Sequence, residues 1–171
     1  MAINMRAVFV SIVAFAATAI LLPALSDAQE VVPFDGYSAG TVVVKTSERR
    51  LYFVLGDGEA IRYPVGVGRA GKAWSGSAYI TGKYLKPGWS PPDEIKREHP
   101  SIPNVIPSGA PNNPMGEAAL VLSKGQYAIH GTNAPDSIGS FVSYGCIRMY
   151  NEDILDLYDR VSFGTTVVVL R

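Results

Sequence analysis

Cysteine and histidine are scarce in this chain, and neither sign of charge is in excess. The 171 residues include one cysteine, two histidines, 15 basic and 15 acidic side chains. One cysteine excludes an internal disulfide, so the hydrophobic core must stabilise the fold. Zero net charge argues against nucleic acid or an anionic membrane surface as the main partner. With 47% hydrophobic residues, a chain of this length suits one globular domain.

Motifs for nucleotides and metals are also lacking. Residues 66–73 (GVGRAGKA) satisfy Gly-x-Gly-x-x-Gly, but Ala73 replaces the Ser or Thr that would hold magnesium in a phosphate-binding loop. No helical pattern follows, so we predict a turn-rich connection between strands, with no nucleotide and no cofactor. His99 lacks other metal-ligating side chains clustered around it, and we predict a surface histidine rather than a metal site.

The first 28 residues have the pattern of a secretory signal peptide. Arg6 gives a positive start, an apolar run covers 7–25, and Ser26-Asp27-Ala28 is a small-x-small cleavage pattern. We therefore expect cleavage after Ala28 and export, without lipid attachment, because no cysteine lies near the cleavage site. The apolar run is long for such a signal, so an uncleaved membrane anchor is the alternative.

The rest of the chain predicts a mainly β domain over 41–171, after a Pro- and Gly-containing lead-in over 29–40. The alternation of Val42, Val44, Leu51, Phe53 and Leu55 with their neighbours predicts half-buried antiparallel strands at the start of this domain. Strands are predicted over 41–45, 51–55, 60–66, 77–85, 118–123, 127–130 and 165–170.

Helices are predicted at few places. Asn151 is expected to cap one clear helix, and Ser137 to cap a single helical turn over 138–142. The apolar stripe of the clear helix is predicted to pack in the core and comprises Ile154, Leu157, Tyr158 and Val161.

A long loop over 86–113 is rich in proline and contains Trp89. Long loops in compact domains are usually functional or disordered. Trp89 and the prolines favour an ordered cleft wall or lid, with a short helix near 93–98.

Chemistry is expected in the stretch 127–151, which holds both Cys146 and His130. A thiol with a pKa of about 8.5 is mostly protonated at neutral pH, so a cysteine nucleophile needs a nearby base. A strand ending at His130 would deliver that base. The turn Ser143–Cys146 is predicted to lie directly before a helix, where backbone N–H groups would lower the thiol pKa and bind an oxyanion. The alternative is an inert, buried cysteine that behaves as a small hydrophobe.

Several blocks of sequence resemble the L,D-transpeptidase catalytic domain, the YkuD family. The resemblance covers about 41–169 and implies a β-sandwich-like fold, with Cys146 as nucleophile and His130 as base. It also implies an oxyanion hole of backbone N–H groups at Gly145, Cys146 and Tyr144. The blocks are 130–133 (HGTN), 137–139 (SIG), 143–149 (SYGCIRM) and 151–153 (NED), with upstream pieces at 48–52, 62–69, 74–76, 89–92 and 113–116.

Tyr144 is a departure, because the family usually has a second histidine, or sometimes a serine, at that position. A tyrosine hydroxyl with a pKa of about 10 can donate a hydrogen bond but cannot shuttle protons near pH 7. The base assignment therefore falls on His130. Gly131 has no side chain, so its backbone carbonyl is expected to orient that histidine.

Further residues are expected to bind or orient the substrate. Arg148 would bind a substrate carboxylate or form an ion pair with Glu152 four residues later. The remaining expectations are that Ser143 and Thr132 orient the turn and the histidine, and that Trp89 lines the cleft.

The resemblance implies a peptidoglycan L,D-transpeptidase in the bacterial periplasm or cell envelope. An acyl-enzyme would form on tetrapeptide stems and pass to an amine, giving 3→3 cross-links or attaching a wall-anchored protein. The alternatives are an L,D-carboxypeptidase that gives the acyl group to water, and a non-catalytic wall-binding module. A penicillin-type site is disfavoured because no Ser-x-x-Lys occurs. A papain-like protease is disfavoured because the histidine precedes the cysteine.

Overall fold

A computed structural model describes residues 29–171, so the predicted signal peptide lies outside the described residues. No helix in this part of the chain is long and apolar enough to span a bilayer. The helices are α1 (Asp93–Glu98), a 3₁₀ turn (Pro135–Ser137) and α2 (Asn151–Arg160). The strands are β1 (Glu30–Pro33), β2 (Val42–Lys45), β3 (Arg50–Gly56), β4 (Glu59–Pro64), β5 (Val67–Gly68), β6 (Gly76–Leu85), β7 (Ala118–Leu122), β8 (Ala128–His130), β9 (Phe141–Ser143), β10 (Ile147–Arg148) and β11 (Thr166–Leu170).

Nine strands form one mixed sheet in the order β1-β4-β3-β2-β11-β6-β7-β8-β10. The long strand β6 joins its two halves, and the pairing of β6 with β7 is interrupted by a register shift between Ile80 and Gly82. Such bulges bend a sheet. One buried cluster combines side chains from both halves and from α2. The prediction of a mainly β, sandwich-like fold is confirmed, and all seven predicted strands are present as β2, β3, β4, β6, β7, β8 and β11.

Strand β2 differs from its prediction because it is buried on both faces. Val42, Val43 and Val44 are all fully buried, whereas alternation predicted one exposed face. In β3, Leu55 was expected on the core side but is 40% exposed, because the pairing with β4 shifts register between Val54 and Gly56. Residues 29–40 cover the second face of this part of the sheet. In this segment β1 pairs with β4, and the Phe34 ring stacks on Tyr52 at 4.4 Å. A small second core forms there from Val43, Tyr52, Val54 and Ala60.

Helix α2 has the predicted stripe, since Ile154, Leu157 and Val161 are buried. Its start differs from the prediction. Tyr150 is the N-cap residue, no side chain caps the helix, and Asn151 is already helical. The helix also begins five residues beyond Cys146, because the short strand β10 lies between them. The predicted placement of the cysteine turn directly before a helix is therefore wrong.

The helical turn predicted over 138–142 is also wrong. The 3₁₀ turn ends at Ser137, and the following residues enter β9, which pairs with β5 in a parallel two-stranded sheet. This pairing partner lies far away in sequence, so the local capping pattern could not indicate it.

The proline-rich loop is ordered, as predicted, and contains α1. Trp89 and Ile106 exchange two backbone hydrogen bonds of 2.8 and 2.7 Å. The Asn113 amide donates to the carbonyls of Pro87 and Pro107 at 2.8 and 3.1 Å. These contacts close the loop on itself and hold it as a wall beside β7 and β8.

Candidate active site

Parallel pairing of β10 with β8 brings the candidate nucleophile and base together. Ile147 lies opposite Ile129, and Arg148 lies opposite His130. Successive side chains of a strand point to opposite faces. The two isoleucines accordingly lie in the core, while Cys146, His130 and Arg148 line one cavity of about 850 Å³.

His130 is held as a neutral imidazole. It is 4% exposed, and its Nδ1 lies 2.6 Å from the carbonyl oxygen of Gly131. A carbonyl can only accept, so Nδ1 carries the proton and Nε2 is unprotonated in the neutral ring. Burial lowers the pKa of His130 to about 4, although the carbonyls of Gly131 and Pro114 favour the protonated ring. The expected orienting role of the Gly131 carbonyl agrees with this geometry.

Cys146 is a protonated thiol at rest. Burial raises the pKa of the Cys146 thiol, while a backbone hydrogen bond from Ala128 and the charge of Arg148 oppose that rise. Its Sγ lies 3.9 Å from the carbonyl oxygen of Gln126. The predicted lowering of this pKa by helix-terminal N–H groups is not observed, since α2 begins farther along the chain. Ionisation of the thiol therefore needs a base.

The turn that carries the cysteine is fixed by hydrogen bonds. The Ser143 hydroxyl donates to the Cys146 carbonyl at 2.5 Å and accepts from the Gly145 N–H at 3.1 Å. Trp74 donates its indole N–H to the Gly145 carbonyl at 2.9 Å and stacks on Tyr127 at 5.1 Å. No individual role was predicted for Trp74, although 74–76 is one of the blocks that resemble the family, because nothing local links it to a turn 71 residues away.

Gly145 is required by this packing. Its φ is +120°, and a Cβ at this position would lie 2.4 Å from the Tyr127 ring. The Gly145 N–H is one of the three predicted oxyanion donors. It already donates to the Ser143 hydroxyl within the turn. Donation by the backbone N–H groups of Tyr144 and Cys146 stays a prediction.

Arg148 has no carboxylate partner among the described residues. Its guanidinium donates to the Ser137 hydroxyl at 3.4 Å, and the predicted ion pair with Glu152 is not formed. Burial lowers the pKa of Arg148, and the nearby Cys146 thiolate would raise it. An unpaired, partly buried cation that faces the thiol is suited to bind a carboxylate.

The Tyr144 side chain reaches α1 rather than His130. Its hydroxyl donates to the Glu98 carboxylate and lies 3.5 Å from His99 Nε2. The Arg69 guanidinium covers the Tyr144 ring at 4.1 Å and binds both Glu98 oxygens, at 3.0 and 2.9 Å. The hydrogen bond to Glu98 raises the pKa of Tyr144, so the hydroxyl remains protonated. His99 is exposed, as predicted, and no metal-binding cluster occurs between residues 29 and 171.

Thr132 acts through its backbone rather than through contact with the histidine. Its N–H donates to Asn151 Oδ1 at 3.0 Å, and its carbonyl accepts from Asn151 Nδ2 at 3.0 Å. The Thr132 hydroxyl accepts from the Ala134 N–H at 3.0 Å. Sequence reasoning assigned Asn151 to the helix cap and missed these contacts.

The remaining walls of the cavity come from the proline-rich loop and from the glycine-rich segment. Trp89 lines the cavity, as expected, together with Pro91, Pro92 and Ile95.

The glycine-rich segment packs against the site as a connection between strands. Gly66 exchanges two backbone hydrogen bonds with Arg148, at 2.9 and 2.8 Å. A Cβ on Gly68 would lie 2.9 Å from the Ala73 backbone. A strand, β6, follows instead of a helix. The prediction of a connection between strands is confirmed.

Comparisons with known proteins identify relatives of this chain. A family model described as the L,D-transpeptidase catalytic domain (YkuD) matches residues 39–169. The probable L,D-transpeptidase ErfK/SrfK of Escherichia coli K12 is 40% identical over 136 residues, which are 75% of this chain and 43% of that protein. The chain thus spans less than half the length of the curated relatives that match about three quarters of it.

Two solved structures are similar as well. A Brucella melitensis protein named probable carnitine operon oxidoreductase caia is 42% identical with a TM-score of 0.56, and covers 84% of this chain and 93% of its own. L,D-transpeptidase 3 from Mycobacterium tuberculosis, in complex with a faropenem-derived adduct, is 19% identical with a TM-score of 0.57. That match covers 77% of this chain and 60% of the mycobacterial chain, and it shows the fold alone.

Proposed function

This chain belongs to the L,D-transpeptidase catalytic domain (YkuD) family, and from this membership we propose that it is a cysteine-dependent L,D-transpeptidase of peptidoglycan. The observation that carries the proposal is the convergence of a thiol, a neutral imidazole and an unpaired guanidinium on one cavity, at Cys146, His130 and Arg148. These are the groups that acyl transfer from a peptide with a free carboxylate requires.

In the proposed reaction, Nε2 of His130 takes the proton of the Cys146 thiol. The thiolate attacks the carbonyl that joins the third stem residue to the terminal D-Ala. Backbone N–H groups of Cys146 and Tyr144 bind the oxyanion, a contribution of about 3 kcal/mol in comparable sites. The C–N bond then breaks, the imidazolium returns its proton to the leaving D-Ala amine, and a thioester remains on Cys146.

An amine of a neighbouring stem completes the cycle by attacking the thioester. His130 takes a proton from that amine, a new amide forms, and the Cys146 thiol is restored. The product is a 3→3 cross-link, or a protein–wall link when the amine belongs to a wall-anchored protein. Arg148 binds a stem carboxylate and holds the acyl donor in the cavity.

Export to the periplasm or cell envelope belongs to the same proposal. The signal-peptide pattern of residues 1–28 supports it, and so does the extracytoplasmic location of a peptidoglycan substrate.

We do not propose oxidoreductase activity for this chain, although the Brucella relative carries that name. A dinucleotide-binding unit needs its glycines between a strand and a helix. Residues 66–71 lead instead through a tight turn into β6, so this geometry does not favour nucleotide-dependent redox chemistry.

The test is the intact mass of the mature protein after exposure to a carbapenem. We expect a stable one-to-one adduct on the wild type, none on Cys146→Ala, and slow formation on His130→Ala. Because His130 is neutral above a pKa of about 4, the acylation rate should fall only as the pH approaches that value, and not near 6.5.

Product analysis then separates the acceptors. Muropeptides with 3→3 bridges indicate transfer to an amine, whereas tripeptides alone indicate a carboxypeptidase. A wild type that forms no adduct, while its thiol still reacts with iodoacetamide, would overturn the proposal in favour of a wall-binding module.

A further inference from the structure

We infer that Asn151 is a positioning residue, whose side-chain amide holds the backbone beside His130 so that the imidazole keeps its Nδ1 protonated and its Nε2 unprotonated. The inference rests on the proposed function, in which His130 is the base for Cys146. The hydrogen bonds of the Asn151 side chain go to the backbone of Glu117 and Thr132, not to the thiol or the ring, so its action is indirect.

The Asn151 amide joins two segments that flank the end of β8. Its Oδ1 accepts from the Glu117 N–H at 3.2 Å and from the Thr132 N–H at 3.0 Å. Its Nδ2 donates to the Thr132 carbonyl at 3.0 Å. Two N–H partners and one carbonyl partner fix the orientation of the amide, because only this arrangement satisfies all three bonds.

The Asn151 Oδ1 atom is closely packed against two glycines. A Cβ on Gly116 would lie 2.2 Å from Asn151 Oδ1, and a Cβ on Gly131 would lie 2.3 Å from the same atom. Gly116 also has a φ of +63°, in the region that favours glycine. Two glycines on separate segments thus leave room for one amide oxygen. A residue that only capped a helix would not need glycine at both of these positions.

These segments supply the carbonyls that act on the histidine. The Gly131 carbonyl accepts the Nδ1 proton of His130 at 2.6 Å. The same peptide unit, 131–132, carries the Thr132 N–H that donates to Asn151 Oδ1, and the Thr132 carbonyl that Asn151 Nδ2 binds belongs to the following peptide unit. The Pro114 carbonyl, which also acts on the ring, precedes Glu117 in the second segment. If the amide is removed, peptide 131–132 can rotate and the Gly131 carbonyl is no longer held at Nδ1.

The test reads the tautomer directly. The protein has two histidines, so the imidazole signals of ¹⁵N-histidine-labelled protein are assigned to His130 by comparison with His99→Gln. At pH 7 the wild type should show a single neutral tautomer protonated at Nδ1. We expect Asn151→Ala to show both tautomers, and to be acylated by a carbapenem about 10–100-fold more slowly, the range seen when an outer partner orients a functional histidine.

Three further variants make the result specific. Asn151→Asp keeps an acceptor for both N–H groups and should retain the Nδ1 tautomer, with a smaller loss of rate. Asn133→Ala removes an exposed asparagine from the same loop and should match the wild type. If Asn151→Ala does not fold, Asn151→Ser takes its place, since its hydroxyl is too short to bridge Glu117 and Thr132.

The outcomes separate this inference from the proposed function. A folded Asn151→Ala that keeps a single Nδ1 tautomer and the wild-type acylation rate would overturn the inference. Mixed tautomers in Asn151→Ala together with an unreactive wild type would support the positioning role of Asn151 and overturn the proposed function.

Discussion

Two buried titratable side chains, His130 and Asp153, affect stability in opposite directions as the pH changes. Burial lowers the pKa of His130, so the unfolded chain binds more protons and stability rises with pH between about 4 and 6.5. Burial raises the pKa of Asp153 to about 6, with smaller contributions from Glu152 and Asp156. The folded chain then binds more protons, and stability falls as the pH rises from 3.8 to about 6.

Asp153→Asn should therefore stabilise the protein at neutral pH. The Asp153 Oδ2 is buried without a hydrogen-bond partner among the described residues, so its charge is uncompensated above pH 6. We expect a gain of about 1–2 kcal/mol in the free energy of unfolding at pH 7.5 and almost none at pH 4. Urea denaturation at the two pH values measures it. Asp159→Asn, an exposed change on the same helix, is the control, and an equal effect of Asp153→Asn at both pH values would contradict the prediction.

At the residue scale, local patterns indicated which side chains lie together but not what holds them in place. The predicted strand before His130 is present and Cys146 lies beside it, although β10 and not a helix follows the cysteine turn. Asn151 was misassigned because a polar residue before an apolar helical stripe is typical of a cap. Its true partners are 19 and 34 residues away, and no local pattern encodes such contacts.

Helix α1 is the element whose position depends most on charge. Its six residues include no buried side chain. It is held over the cavity by the ion pairs Lys72–Glu94 and Arg69–Glu98 and by the Tyr144 hydroxyl on Glu98. Exposed ion pairs of this kind contribute little individually and are screened by salt. The contacts that hold α1 over the cavity are thus weak enough for the helix to move away from it.

Glu98→Gln should loosen α1 without unfolding the domain. Glu98 is the shared partner of Arg69 and Tyr144, so its neutralisation weakens both contacts. Amide hydrogen exchange over 93–98 should accelerate about two- to fivefold, because weak exposed contacts limit only local opening. Wild-type exchange in 1 M salt should approach that of the variant. Glu152→Gln, an exposed acidic residue on α2, is the control. Unchanged exchange in Glu98→Gln would show that α1 is held by its loop instead.

Most of the longer elements were predicted, whereas the two- and three-residue strands other than β8 were not. The strands β3, β6 and β7 and the helix α2 contain enough residues to show a period. The strands β5, β9 and β10 have two or three residues each and exist because a distant backbone pairs with them. The pairs that build the site are among these short strands, so its geometry could not be derived from local patterns.

At the scale of the domain, residues 29–171 form two cores on opposite faces of the first half of the sheet. The larger core combines both halves of the sheet with α2 and lies behind the site. The smaller core contains Val43, Tyr52, Val54 and Ala60, and partly buried side chains of 29–40 pack against it. Phe34 stacks on both Tyr37 and Tyr52. The lead-in was predicted only as a connection because its apolar residues have no regular spacing.

A chain that begins at residue 41 should consequently be less stable than one that begins at residue 29. Truncation exposes the smaller core and removes the pairing of β1 with β4, and we expect a loss of about 3–5 kcal/mol in the free energy of unfolding. No residue of 29–40 lines the cavity, so carbapenem acylation well below the unfolding temperature should proceed at the rate of the longer chain. A chain from residue 29 with Val31→Ser, at an exposed position, is the control for stability. Equal unfolding free energies for the two lengths would mean that 29–40 is a linker and that the larger core suffices for the fold.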